Sequence, residues 1–510
     1  MWLKNLPAAQ AAGSKIKRKM IRLVNLFVAL FLFCSCAEAD SGLVPEPDSE
    51  GVEMPRKEVR GVWVATVDRM DWPRNTSSAE VQKQEFVEYL DLFKKYNVNM
   101  VVVQIRPMAD AFYESSLEPW SEYITGTQGK NPGYDVLRFM IDETHKRGME
   151  FHAWLNPYRI SNNYKTFKPA ANHIYNLHPE WTMTYGNLLL FRPALPEVRK
   201  FMVDVIDDLI TKYDVDGIHF DDYFYPYPSK GIELQDEGDF LEYGKDYDNI
   251  EDFRRGNVNK VIEEIHNLIV AKRPDVIFSI SPYGVWRNLE DDPNGSDSHG
   301  ITNYDDLYAD IRLWCEKGWI DMVVPQLYAS TENINMNFIK MSEWWANNSF
   351  DCPVVIGHGL YRFGNPAEGE IYMNPLQLET QFYYARRQDK IQGSFLFNAS
   401  SFTANKLNIL SNLEKIYGEK TVIPFMGRET CKKPDVVKGL QADGSKVLKW
   451  DAQGGDIRYV VYRIVDNKAK VVDIVSSASY KCPENGVYAV SALNKDNVES
   501  NLSEKVSIIE

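Results

Sequence analysis

A large (β/α)8 barrel followed by a small all-β sandwich is the fold this sequence predicts, and three observations carry it. Short apolar runs alternate with longer stretches of helical periodicity from Glu58 to about Tyr417. Runs such as Met100-Val101-Val102-Val103 are apolar without alternation, as parallel strands covered on both faces should be. After Pro424 the helical pattern stops, and short strands separated by turn residues take over.

The barrel strands are expected at 59–66, 99–106, 150–157, 217–223, 276–283, 321–328, 353–360 and 393–400. Helical patterns lie between them at 78–96, 134–147, 196–213, 249–272, 304–317, 335–347 and 376–389. Eight strand-led units over about 360 residues fit a closed barrel with long loops. A doubly wound open sheet would place a Gly-rich phosphate turn after its first strand. Here that strand runs into Thr66-Val67-Asp68-Arg69-Met70-Asp71-Trp72-Pro73, which cradles no phosphate. Three loops, 107–133, 158–192 and 224–247, are long and rich in rings, and loops of such length are usually functional. The sandwich strands are expected at 436–440, 446–450, 458–465, 471–475, 486–492 and 505–508.

Length and composition agree with this division. A chain of 510 residues suits a barrel domain at 56–425 and a second module at 430–510. A 44% hydrophobic and 13% aromatic content builds a core and excludes global disorder. The net charge of −15 excludes nucleic acid as the main partner, because phosphate binding needs clustered Lys and Arg. Many of the 28 Tyr and 12 Trp adjoin Pro, Asn, Asp or Arg near expected strand ends, where a ring either stacks on a sugar or packs beneath a loop.

The N-terminus reads as a targeting segment. Lys15, Lys17, Arg18, Lys19 and Arg22 precede an apolar run at 23–33, too short to span a bilayer and typical of a signal peptide. The run ends in Phe33-Cys34-Ser35-Cys36, which is similar to a bacterial lipoprotein signal with Cys36 as the lipidated residue. A plain secretory peptide cut near Ala37 or Ala39 is the alternative. Export to the cell envelope, a lipid anchor in its membrane, and a flexible tether at 37–55 are therefore expected. Cys431 and Cys482 either form one disulfide or remain free thiols, and no cysteine spacing is zinc-like.

The strand ends supply the candidate chemistry. Asp216-Gly217-Ile218-His219-Phe220-Asp221-Asp222-Tyr223 is a buried strand that runs out into two acids followed by rings and prolines. The other ends contribute Thr66, Asp68, Arg106, Asp110, Asn156, Ser281, Gln326, Tyr328, His358 and Asn398, with Trp63 inside the first strand. No Ser-His-Asp arrangement, HExxH metal pair or phosphate loop is present. Glycoside hydrolysis needs one carboxyl group as acid and another as nucleophile or base, with donors for sugar hydroxyls, and this inventory suits it.

Adjacent strand residues point to opposite sides, so His219 and Asp221 share one side while Asp222 faces the other or curls into the loop. Asp221 is the expected catalytic carboxylate. Asp222 is its partner or an anchor for the loop that follows, and Asp110 is a rival second acid. His219 is a sugar ligand or a core histidine, and Trp63 is a stacking platform or a barrel filler. Arg106 would be costly to bury unpaired, so it orients an acid or a sugar.

Several motifs resemble the glycosyl hydrolase-like 10 family, also called DUF187. They are Arg60-Gly61-Val62-Trp63-Val64-Ala65-Thr66 with Asp71-Trp72-Pro73, Gln104-Ile105-Arg106-Pro107 with Asp110-Ala111-Phe112-Tyr113, and Pro119-Trp120-Ser121-Glu122-Tyr123. His152-Ala153-Trp154-Leu155-Asn156-Pro157-Tyr158-Arg159, Ser281-Pro282-Tyr283-Gly284-Val285-Trp286-Arg287 and Pro325-Gln326-Leu327-Tyr328 continue the series in order. The resemblance implies a barrel glycosidase of the bacterial envelope acting on N-acetylhexosamine polymers, peptidoglycan strands stripped of stem peptides among them. Tyr158, Arg159 and Tyr223 then join the expected sugar contacts, and no cofactor or metal is required. The segment after 430 resembles a fibronectin type III module, usually a spacer or docking platform. A non-catalytic glycan-binding lipoprotein using the same cleft is the competing reading.

Overall fold

The computed structural model describes residues 51–427 and 432–509. Cys36 and Cys431 lie outside the described residues; Cys315, Cys352 and Cys482 are free and buried.

Eight parallel strands close into a barrel: β1 (Val59–Val64), β2 (Met100–Arg106), β3 (Glu150–Leu155), β4 (Gly217–Phe220), β5 (Ile277–Ile280), β6 (Met322–Val323), β7 (Val354–Gly359) and β8 (Ile391–Phe397). Each pairs with its sequence neighbours, and β1 closes the ring by pairing with both β2 and β8. A helix follows each strand: α1 (Ala79–Lys95), α2 (Val136–His145), α3 (Pro196–Lys212), α4 (Ile250–Lys272), α5 (Ile311–Glu316), α6 (Phe338–Asn348), α7 (Leu376–Ala385) and α8 (Ile409–Ile416). Ser78, Asp135, Asn249, Asp310 and Asn337 accept backbone N–H bonds at the starts of α1, α2, α4, α5 and α6, as side-chain caps do. The cap at Asp310 starts α5 at Ile311, seven residues later than the periodicity from 304 predicts. Helix α8 is an addition to the seven expected helices.

Strand parity divides the apolar residues into two cores. Val62, Val64, Val101 and Val103 face outward and pack under the helices. Val59, Trp63, Met100, Val102, Trp154, Met322, Val355 and Phe395 fill the barrel, and Ile423 and Met426 join that inner cluster. The interior is a packed core, as in other barrels of this class. Gly61 pairs with Phe395 across the β1–β8 seam, and a side chain at Gly61 would fall inside the Phe395 ring.

The C-terminal module has two antiparallel sheets. One joins β9 (Gln441–Ala442), β10 (Val447–Lys449) and β13 (Ser479–Lys481); the other joins β12 (Lys468–Val475), β11 (Arg458–Val465), β14 (Gly486–Leu493) and β15 (Val506–Ile508). Leu448, Trp450, Tyr459, Val461, Tyr488 and Val490 pack between them. The expected strand at 436–440 does not form, and β13 pairs with β10 instead. The module is docked on the barrel. Asn497 Nδ2 donates to Glu150 Oε1 at 2.6 Å, and Lys495 pairs with Asp275 at 3.0 Å. Val52 and Val422, which flank the barrel in sequence, bury against Val460 and Tyr462 of β11, so the expected tether is already ordered at its last residues.

Gly61→Ala is expected to lower the urea midpoint by the equivalent of about 1–3 kcal/mol, the usual range for overpacking. Adding Phe395→Leu should recover part of that loss.

Candidate active site

Strand β4 stops at Phe220, level with Leu155 of β3 and Ile280 of β5. Asn156, Asp221 and Ser281 therefore leave the barrel on one rim. Because the pleat ends there, Asp222 is released from strand parity and turns toward the same mouth as Asp221. Asp221 Oδ2 accepts from Trp154 Nε1 at 3.0 Å and from Asn156 Nδ2, while Oδ1 accepts from the Tyr223 N–H at 3.3 Å. Asp222 accepts from the Tyr227 hydroxyl and is also bonded by the Gln326 side chain. Both acids are only 4% exposed.

Burial disfavours charge on each carboxyl group, and the Asp222 charge raises Asp221 further. Asp221 is pushed up from 3.8 to about 7, by burial first and the Asp222 charge second. Asp222 is also raised, with burial the main cause. That value belongs to the pair, which loses one proton readily and holds the second to near neutrality. Three fixed N–H donors favour the ionised form at Asp221. The Tyr227 hydroxyl and the Gln326 side chain likewise favour the ionised form at Asp222, so donors face both acids. The Arg159 guanidinium lies near both acids and opposes their rise, and it stacks 4.5 Å from the Tyr223 ring centroid.

An arc of rings borders this pair. Tyr223 meets Tyr227 at 5.8 Å and Tyr227 meets Tyr283 at 6.2 Å; across the mouth Tyr328 stacks on Phe397 at 5.7 Å and abuts Tyr361 at 5.9 Å. All are half-buried except Tyr223, which is 39% exposed. Such rings offer flat apolar faces with polar tips. A proton-sharing carboxyl pair inside an aromatic rim can deliver a proton to a leaving oxygen and carry a compensating negative charge. Among the described residues no group of three or more His, Cys, Asp or Glu side chains is arranged to hold a metal ion.

Residues 58–370 match the family model described as glycosyl hydrolase-like 10. The chain belongs to the glycosyl hydrolase-like 10 family. It is 42% identical over 403 residues to glycosyl hydrolase YngK of Bacillus subtilis (strain 168), covering 77% of this chain and 79% of that protein. To glycosyl hydrolase DigH of Escherichia coli (strain K12) it is 36% identical over 382 residues, covering 70% and 87%. Among solved structures, the glycoside hydrolase domain of PgaB (BpsB) from Bordetella bronchiseptica aligns with a TM-score of 0.47 at 12% identity, covering 71% of this chain and 98% of that one. By its family and its named relatives this chain is a glycoside hydrolase.

The structure sorts the expected site residues of this glycoside hydrolase. Asp221, Asp222, Asn156, Arg159, Tyr223, Gln326 and Tyr328 meet at the mouth, but Asn156 is fully buried and reaches Asp221 rather than open space. Asp110 lies apart: its charged neighbours are Glu118 and Glu122, it bonds Gln128 at 3.0 Å, and burial raises it to about 7. Arg106 orients an acid's support and not a sugar, for it is 1% exposed and its donors are engaged by Glu118 and by the carbonyls of Asn156 and Pro157.

Five further candidates sit in the core. Trp63 fills the barrel and donates to His219 Nε2 at 3.1 Å. His219 Nδ1 therefore carries the proton and donates to Ser279 Oγ at 2.8 Å, and burial lowers its basicity far below the ordinary value. His358 is stacked on Phe382 at 4.6 Å with both nitrogens bonded, to Gln381 and Ser394. Tyr158 is 1% exposed, and Asn398 caps the turn at 399–404 while bonding Asp71 at 2.8 Å. None of the five presents a free polar group to the mouth.

Trp154, Glu118, Tyr227, Tyr283 and Tyr361 are neighbours that the sequence inventory missed. Trp154 was within reach, since it lies two residues before Asn156 on one strand and so shares its face. Glu118 was foreshadowed by the need to pair Arg106, but its place within a 27-residue loop offered no register.

A carboxyl group whose folded pKa lies above its unfolded value costs stability as pH rises between the two, here from about 4 to about 7. Asp221→Asn removes that cost. The variant should melt at a higher temperature than wild type at pH 8, with the difference shrinking as pH falls toward 4, as read by calorimetry.

Proposed function

We propose that this glycoside hydrolase cleaves a β-1,4-linked bacterial glycan of N-acetylhexosamines, denuded peptidoglycan strands above all, with Asp221 and Asp222 as its catalytic carboxyl pair. One observation carries the chemistry: two adjacent acids, both buried, stand together at the end of β4 beside the aromatic mouth. One acid of the pair donates its proton to the glycosidic oxygen as the bond to the anomeric carbon breaks. The other acid, ionised, faces the developing oxocarbenium ion, and water supplies the oxygen that bonds the anomeric carbon while its proton returns to the pair. Tyr223, Tyr227, Tyr283, Tyr328 and Tyr361 bracket the chain of sugars, with Gln326 and Arg159 beside the reacting ring.

The substrate class is favoured by the resemblance of the barrel motifs to envelope glycosidases. Localisation follows from the N-terminal segment: a basic stretch, an apolar run and Cys36 would export the protein and fix it to an envelope membrane by lipid. The sandwich then stands beside the barrel as a fibronectin type III-like companion module.

Incubation with denuded peptidoglycan strands and chitin oligomers, with products read by mass spectrometry, tests the substrate. Shortened glycans are expected from the peptidoglycan strands, and no product from either polymer would overturn the assignment. Asp221→Asn and Asp222→Asn should each lower kcat by about 10²–10⁴-fold. In wild type kcat/KM should form a bell whose basic limb lies near pH 7, where the pair loses its shared proton.

A further inference from the structure

We propose that Gln104 is a positioning residue, the middle link of a directed amide relay that aims a hydrogen-bond donor at the Asp221 carboxylate. The relay starts at the end of β1, where the backbone N–H groups of Thr66 and Val67 donate to Gln104 Oε1 at 3.1 and 2.9 Å. Backbone N–H groups can only donate, so they settle which way the Gln104 amide points. Its Nε2 must then face β3, where it donates to Asn156 Oδ1 at 2.6 Å. Arg159 donates to the same Oδ1 at 2.9 Å, which leaves Asn156 Nδ2 to face Asp221 Oδ2.

Each link is forced by the one before it. Two amide side chains, either of which could flip in isolation, are locked into one orientation by donors that have no alternative. Thr66, Gln104 and Asn156 are all fully buried, so no water competes for the chain. The Thr66 hydroxyl donates to the Gln104 carbonyl at 2.7 Å and keeps the two strand ends in register. In such a chain each donor is polarised by the bond it accepts, which strengthens the last donor. The Arg106–Glu118 ion pair holds the backbone of Asn156 from the other side, with Arg106 donating to the Asn156 and Pro157 carbonyls.

The groups that face Asp221 from the packed elements are Asp222, Arg159, the Tyr223 N–H, Trp154 and Asn156, with the Tyr223 and Tyr328 phenols beyond them. Of these, only Asn156 depends on Gln104 for its orientation. The role rests on Asp221 being the working carboxylate, but it can be read without substrate. Carbon-13 NMR of aspartate carboxyls follows Asp221 directly, as the resonance that vanishes in Asp221→Asn.

In Gln104→Met the Asn156 amide loses one of its two orienting donors and keeps only Arg159. The Asp221 midpoint is expected to rise by about one pH unit, about the worth of one strong donor. On the glycan that wild type cleaves, kcat should fall about ten- to hundred-fold with KM little changed. If Gln104→Met does not fold, Gln104→Glu keeps the acceptor for Thr66 and Val67 and reverses the relay at Asn156. Its upward shift should disappear in an Asn156→Leu background, whereas a through-space charge effect would persist there. An unchanged Asp221 midpoint in a folded Gln104 variant overturns the relay. An active Asp221→Asn enzyme would instead overturn the catalytic assignment and leave the relay's titration result standing.

Discussion

The chemistry of this barrel depends on where one strand stops. Two adjacent acids on a continuing strand would point to opposite sides, one into the barrel and one under the helices, and the second would be an unpaired charge against an apolar layer. Ending β4 at Phe220 frees the backbone at the first acid, and both carboxyl groups then share one solvent-poor mouth. Their mutual repulsion and their burial are unfavourable for folding, and the surrounding N–H donors offset only part of that. The rest is borne by the two apolar cores on either side of the strands.

The mouth is therefore built by layers of support. Trp154, Asn156 and the Tyr223 backbone hold one acid; Tyr227 and Gln326 hold the other. Behind them, Arg106 and Glu118 form a buried ion pair whose remaining donors grip the chain just after β3. Buried pairs of this kind contribute little net stability, yet they fix geometry, and here the geometry they fix is that of the residue bonded to Asp221. The long loops that carry the rings are pinned in the same way, as where Arg254 joins Asp236 and Tyr308.

Much of this was legible in the sequence, and the remainder was not for identifiable reasons. Mostly apolar runs, unbroken at 100–103, marked the barrel strands because parallel strands are covered on both faces. Asp221 stood out because an acid closing such a run must sit at the rim. Asp222 stayed ambiguous because parity holds only while the strand lasts, and the last paired residue cannot be read from propensity. His219, His358 and Asn398 looked like site residues because polar groups near strand ends are ordinarily exposed. They are core residues because each met a complementary partner distant in the chain: Ser279, Ser394 and Asp71 lie 60, 36 and 327 positions away. The short strand Ser479–Lys481 escaped because three residues carry no periodicity of their own.

The far rim of the barrel carries a different lesson. Glu150 and His152 sit at the start of β3, buried, and the amide that satisfies Glu150 comes from Asn497 in the following module. The module also clasps the segment before β1, with the Ala469 N–H donating to the Glu53 carbonyl at 2.9 Å. Cut after residue 427, the barrel would keep every residue of its mouth and yet leave a carboxylate at its base without that amide. The catalytic half of this chain is thus not a self-sufficient cassette: its foundation is laid by the module that follows it.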